Sequence, residues 1–223
     1  MKLHYHPVST TSRPLMMFIA ESGMEMEMQV VDLFTGEHYK PTFDALNPNH
    51  LIPVLEDGSF RLTESSAILK YLAEKANSPL YPKDLQQRAR INERMDWVNT
   101  QLCRDLVYGV VYPQIFPLHK RRSDEAQDAT LQWGKERAQG WLKVLNDHIL
   151  GGNHYVCGNS LSIADYFCAE YVYVGEITGS DFAAFPNVQQ WLGRMKALKS
   201  WALVHQVIDG FGGTLNKASM VAA

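Results

Sequence analysis

Thr63-Glu64-Ser65-Ser66 sets a carboxylate among three hydroxyls just ahead of Ile68, Tyr71 and Leu72, which are spaced as one face of a helix. The first N–H groups of a helix lack internal partners, and small hydroxyl residues there leave them free to meet an anion. Upstream, Asn47-Pro48-Asn49-His50-Leu51 runs into an apolar residue before proline, Ile52-Pro53. A strand-like run follows from Val54 to Glu56, then Asp57-Gly58, then a second short run from Phe60 to Leu62. Asp-Gly suits a tight hairpin with positive φ. A second cluster of hydroxyls, Ser9, Thr10, Thr11 and Ser12, fills the loop from Pro7 to Arg13.

Ser162-Ile163-Ala164-Asp165 offers a carboxylate beside apolar residues. Its spacing is that of a capping box, with Ser162 at the N-cap and Asp165 three residues on. Leu161 and Tyr166 stand where a hydrophobic staple would. A capping role predicts that truncating Asp165 costs on the order of 1–2 kcal/mol. The three cysteines, Cys103, Cys157 and Cys168, lie far apart with no CxxC pair, which suggests reduced thiols rather than a disulfide framework.

The elements that must position these groups come in two kinds. Lys2 to Tyr5 reads as a short strand. Pro14 suits the first turn of a helix carrying Leu15, Phe18 and Ile19 inward and ending near Gly23. Met24-Glu25-Met26-Glu27-Met28-Gln29-Val30 alternates strictly, which predicts a strand with one buried face. A polar connection, Asp32 to Lys40, leads to a short helix, Pro41 to Leu46. The order βαβ then ββα is thioredoxin-like, with a parallel crossover and an antiparallel edge. Two prolines in Asn77-Ser78-Pro79-Leu80-Tyr81-Pro82 break the pattern. We expect a first domain at 1–77, a linker at 78–85 and an all-helical domain at 86–223. Ile91, Met95, Val98 and Leu102 mark one long helix reaching about Val111. Leu131 to Ile149 marks a second, Ser162 to Ile177 a buried central one, and Val188 to Met195 another, entered through Pro186.

At 46% hydrophobic and 20% charged residues, the chain reads as an ordinary globular protein. A net charge of −3 gives no electrostatic case for nucleic acid. No apolar run is long enough to span a membrane and no signal peptide is evident, so a cytoplasmic location is expected.

Together these features resemble the cytosolic glutathione transferases. The linker run Tyr81-Pro82-Lys83-Asp84-Leu85-Gln86-Gln87-Arg88-Ala89-Arg90, and Tyr155-Val156-Cys157-Gly158 before Leu161 to Asp165, look theta-like. Gly36-Glu37-His38 and Asn47-Pro48-Asn49-His50 look like both the theta and delta classes. The resemblance implies glutathione as cosubstrate, with no metal. It implies that Ile52 offers its backbone to the cysteinyl part beside a cis Pro53, and that Glu64 and Ser65 hold the γ-glutamyl end. His38 and His50 fall at the glycyl end, and Leu51 is a further glutathione-binding position.

In theta-like enzymes a serine four residues before an arginine donates to the thiolate. Counting back from Arg13 gives Ser9, with Thr10, Thr11 and Ser12 as competitors. Thr11-Ser12 stands where many relatives have Pro-Cys, so the loop has no cysteine for mixed-disulfide chemistry. Trp97, Gln101, Arg104 and Tyr108 share a helical row, and Arg104, Tyr108 and Tyr112, with Phe116 and Phe211, are candidates for lining a site for a small hydrophobic electrophile. The family further implies a homodimer. The activity expected is conjugation of glutathione to such electrophiles; the alternatives are glutathione-dependent dehalogenation, peroxide reduction, or ligand binding without turnover.

Overall fold

The computed structural model describes residues 1–223. β1 (Lys2–Tyr5) sits second in a four-stranded sheet of order β2-β1-β3-β4. It pairs in parallel with β2 (Glu27–Val30) across the helix α1 (Arg13–Ser22), and antiparallel with β3 (Val54–Asp57). β3 turns through Gly58, at φ +60°, into β4 (Phe60–Leu62), as Asp-Gly predicted. Gly23 ends α1 in the left-handed conformation at φ +65°. α2 (Pro41–Asp44) and α3 (Ser65–Lys75) complete this half. The thioredoxin-like order is therefore the observed one.

β2 departs from expectation. Its four residues are all exposed, with Met28 and Val30 more than a third open to solvent. The strand is shorter than predicted, and it lies at the sheet's edge with a neighbour on one side only. Alternation gave the strand, but its buried face shrinks to Met24 and Met26 just ahead of it.

The remainder is helical. α4 (Leu85–Trp97) is capped by Asp84, which accepts from the Gln87 N–H at 2.9 Å. It runs on without a break through Val98–Val111, where the hydrogen bonding widens to i→i−5; the Tyr112 N–H reaches the Val107 carbonyl. A final turn, α5 (Tyr112–Ile115), accommodates Pro113. α6 (Asp124–Val144), with its extension Leu145–Leu150, packs along this helix. The crossing is so close that a Cβ on Gly134 would lie 2.6 Å from the Gly109 backbone. α7 (Ile163–Ile177) is buried nearly all round, as its composition predicted, and α8 (Pro186–Lys196) covers it. α9 (Trp201–Gly213), which its sequence had not singled out, packs back on α1. One hydrophobic core of 43 residues is continuous from Leu3 in β1 to Ile208 in α9.

Of the predicted row, Gln101 and Arg104 stay together, while Trp97 and Tyr108 turn to other partners. Trp97 turns to Trp141 of α6, ring centroids 6.3 Å apart. Arg104 turns onto Asp105, donating through Nε and Nη2 at 2.8 Å each, and onto Gln101 at 3.0 Å. Asp105, almost fully buried, also accepts from Arg137 at 3.0 Å and from the Trp141 indole at 2.7 Å. Burial alone would raise the Asp105 pKa, but these donors hold it down at about 2. A depressed folded pKa stabilises above the unfolded value near 4 and loses that contribution as pH falls toward 2. Arg104 is half exposed, so after solvent screening the amount is on the order of 1 kcal/mol. In urea melts, the stability gap between the wild type and Asp105→Asn should narrow between pH 4 and pH 2. A gap independent of pH would contradict the ionised hub.

Candidate functional site

The loop after β1 is tied by its own backbone. The Ser9 N–H bonds the His6 carbonyl at 2.9 Å, and the Ser12 and Arg13 N–H groups return to the Ser9 carbonyl at 3.1 and 3.2 Å. This curl separates the four hydroxyls. Thr10 and Ser12 turn inward, 1% and 0% exposed, whereas Ser9 and Thr11 stay half-buried and reachable. The Thr11 hydroxyl donates to the Ile52 carbonyl at 3.1 Å. Its single proton is thereby used, so in the 3.0 Å contact between the Ser9 and Thr11 oxygens Ser9 is the donor. Ser9 Oγ also accepts the Ser12 N–H at 3.2 Å. The Ser9 proton is held only by another accessible hydroxyl and can turn to a ligand.

Thr11 joins this loop to the second segment. The Ile52–Pro53 peptide is cis, as the resemblance implied. Ile52 and Val54 pack with Val31 and Phe43 in a small core of their own. Next to them Leu51 is 57% exposed, with its carbonyl held by the Asn47 amide at 2.8 Å. His50 takes φ +55° and donates from Nδ1 to the His38 carbonyl at 2.9 Å, leaving Nε2 toward Asp44 at 3.6 Å. Burial, then the neighbouring His50, lowers the His38 pKa. Its buried Nδ1 has no partner. The two histidines are thus brought together, with Tyr39 against both rings.

Glu64 stands at the N-cap of α3 with φ +66° and ψ 112°. A non-glycine residue held at positive φ costs on the order of 1–3 kcal/mol and recurs at ligand clamps. Its side chain makes no cap bond, so the first N–H groups of α3 stay open beside an exposed carboxylate. Ser65 is buried against Tyr171 of α7.

An aromatic wall faces these segments. Tyr108 and Tyr112 meet at 5.0 Å, Tyr112 and Phe116 at 5.1 Å, and Phe116 stacks on Phe211 of α9 at 6.1 Å and 12°. Phe34 extends it at 6.1 Å from Phe211, ending against His6 at 5.5 Å. Burial, the main cause, raises the Tyr112 pKa, offset in part by the Thr10 hydroxyl and by Arg13, which sets Tyr112 beside the hydroxyl loop. Burial likewise raises Tyr108, and the Glu64 charge adds to it, which sets Tyr108 near α3.

Tyr108, Tyr112, Phe116 and Phe211 therefore come together as expected. Arg104 does not join them, because its hydrogen bonds all stay on its own helix. Sequence reasoning missed His119, which packs on Tyr108, Tyr112 and Phe116 from a separate short turn, Pro117–His119, after the helix has ended at Ile115. It also missed Phe34, a loop residue with no local signal. The tail is seated rather than loose. Gln114 of α5 and Val221 exchange two hydrogen bonds, 2.8 and 3.0 Å, and the Ala223 N–H reaches Ser180 at 2.9 Å. No three His, Cys, Asp or Glu side chains gather as a metal group, and no helix is long and apolar enough to cross a membrane.

Comparison with known proteins agrees with this geometry. Residues 1–74 match the model for the glutathione S-transferase N-terminal domain, and residues 111–199 match that for its C-terminal domain. Glutathione S-transferase D7 of Drosophila melanogaster is 34% identical over 85% of this chain and 81% of its own length. Among solved structures, human glutathione transferase theta-2, in complex with glutathione, superposes with a TM-score of 0.82 at 28% identity, over 99% of this chain and 92% of that one. A delta-class glutathione transferase from Nilaparvata lugens gives 0.79 at 29%, over 95% and 96%. The chain belongs to the glutathione S-transferase family, on its theta- and delta-like side.

Proposed function

We propose that this protein binds glutathione along the Ile52–Ser65 edge, activates its thiol with Ser9, and transfers it to a small apolar electrophile. The observation that carries this is the Thr11–Ile52 hydrogen bond, which fixes the uncommitted Ser9 hydroxyl beside the backbone that would hold the cysteinyl residue. An extended tripeptide then meets complementary groups along its length. The γ-glutamyl carboxylate takes the open N–H groups at the start of α3, aided by the helix dipole, and its ammonium pairs with Glu64. Ile52 takes the cysteinyl backbone beside Pro53. His50, with His38 behind it and Leu51 alongside, takes the glycyl end.

A free thiol with a pKa near ~8.5 is mostly protonated at neutral pH. Hydrogen-bond donation from Ser9 to sulfur favours the thiolate. The thiolate attacks the electrophilic carbon, the new C–S bond forms, and the leaving group departs with its electron pair. Tyr108 and Tyr112, with the aromatic rings around them, give the electrophile an apolar surface. Arg104, bound up with Asp105, is the weakest member of the predicted set. The activity is that of a cytoplasmic homodimer in this reading, and sedimentation checks the assembly.

The test is retention on immobilised glutathione together with conjugation of a generic aryl halide. Retention with saturable turnover is expected. Retention without turnover on aryl halide, haloalkane or hydroperoxide would make the protein a binder instead. Halide release confined to haloalkanes would make it a dehalogenase.

A further inference from the structure

Three ionisable side chains lie fully buried behind the hydroxyl loop, and none of them touches the proposed ligand path. Arg13 of α1, Glu170 of α7 and His205 of α9 are each 0% exposed. Arg13 Nε donates to Glu170 Oε2 at 2.6 Å. His205 Nε2 lies 3.1 Å from the same oxygen and 3.0 Å from the other, while its Nδ1 bonds the Trp201 carbonyl at 2.9 Å. The His205 ring stacks on Trp201 at 3.6 Å, and Tyr173 meets it edge-on at 4.8 Å. Burial opposes ionisation of Glu170, yet the Arg13 and His205 charges outweigh it and hold the carboxyl below its ordinary range.

A buried ion cluster is weak evidence for stability, because apolar side chains of similar volume often do as well. Its geometry shows a different use. The second arm of the Arg13 guanidinium, Nη1, donates to the Val8 carbonyl at 2.8 Å. That carbonyl belongs to the Val8–Ser9 peptide plane, whose rotation sets where the Ser9 side chain points. The rest of the plane's surroundings are tied locally, with the Val8 N–H on His6 Nδ1 at 3.1 Å and the Ser9 N–H on the His6 carbonyl. Arg13 is the tie from this plane to the helical half. A planar fork held on one arm by Glu170 can present the other arm in only one direction.

We propose that Arg13, Glu170 and His205 are positioning residues for the Ser9 hydroxyl, so that α7 and α9 set the geometry of thiol activation in the loop after β1. This rests on the assignment of thiol activation to Ser9. The experiment measures the thiol pKa of bound glutathione, by ultraviolet absorbance of the thiolate and by the pH–rate profile, in Glu170→Gln, Arg13→Lys, His205→Gln and Ser9→Ala.

Glu170→Gln keeps the shape and removes the charge. Its thiolate fraction at neutral pH should fall about tenfold, with kcat falling in step and the glutathione KM within about twofold. Arg13→Lys should not restore the wild-type value, because one ammonium cannot hold the Glu170 carboxylate and the Val8 carbonyl in forked geometry. His205→Gln, which leaves the Arg13–Glu170 pair in place, should shift the thiol the same way by less, and it serves if Glu170→Gln does not fold. A wild-type thiol pKa in folded Glu170→Gln, or in His205→Gln where that one is used, overturns the proposal whatever Ser9→Ala does. A shift in Glu170→Gln without one in Ser9→Ala would keep the triad as what positions the loop and remove Ser9 as the donor.

Discussion

Asp165→Ala will lower the unfolding free energy by about 3–5 kcal/mol, a large part of the ~5–15 kcal/mol that holds a domain of ordinary size together. The carboxylate is 0% exposed and accepts four hydrogen bonds. Oδ1 takes the Val156 N–H at 2.9 Å and the Trp191 indole N–H at 3.0 Å; Oδ2 takes the Ser162 N–H and hydroxyl, both at 2.9 Å. Alanine leaves four buried donors without a partner and opens a hole against Trp191. Each orphaned donor carries its full desolvation cost, which is why the expected loss exceeds that of an exposed N-cap. Asp165→Asn should fall between, since it keeps one oxygen and the volume but turns an NH2 group toward donors. Urea denaturation checks this. A midpoint within experimental error of wild type would show that water or a backbone shift satisfies the four groups. Protein that does fold should keep its thiol pKa, because Asp165 contacts no residue of the proposed glutathione path.

The largest expected effect on activity is at Ser9. Ser9→Ala removes the proposed donor while leaving Ile52, Glu64 and Ser65 as they are. The thiol pKa of bound glutathione should rise by about 1–2 units, so at neutral pH the thiolate, and with it kcat, should drop about 10- to 100-fold. The glutathione KM should stay within about twofold, because the thiol adds little to ground-state binding. The sign is distinctive. A raised pKa means activity recovers as pH increases, so the variant's pH–rate profile shifts to the alkaline side. Thr11→Val is the control, since the Thr11 proton is already given to the Ile52 carbonyl. If Thr11→Val shows the alkaline shift and Ser9→Ala does not, the activating hydroxyl is Thr11.

Much of the architecture could be read from the chain because its causes are local. Pro14 and Gly23 bracket α1 through one missing N–H and one positive φ. Gly58 makes the β3–β4 turn for the same kind of reason. Ser162 and Asp165 cap α7 from three residues apart. The edge proposed for glutathione, too, lies in one continuous stretch, Asn47 to Ser65, so the resemblance that points to it rests on residues that stay together in sequence.

What the tertiary structure alone decided are relations across long separations. That Ser9 and Thr11 are the accessible two of four adjacent hydroxyls depends on a loop curl closed against Ile52, 41 residues away. Exposure of β2 follows from its place at the sheet edge, which alternation cannot encode. Asp105 gained Arg137 and Trp141 of α6 as donors, 32 and 36 residues distant, and Arg104 closes onto the same carboxylate. Asp165 gained Val156 and Trp191 as donors, 9 and 26 residues distant, which turned a modest cap into a buried hub. Arg13, in the sequence only a marker for counting back to Ser9, became the link to Glu170 and His205. Short-range chemistry fixes turns, caps and periodic faces; the partners of a buried charge are chosen only when distant helices close over it.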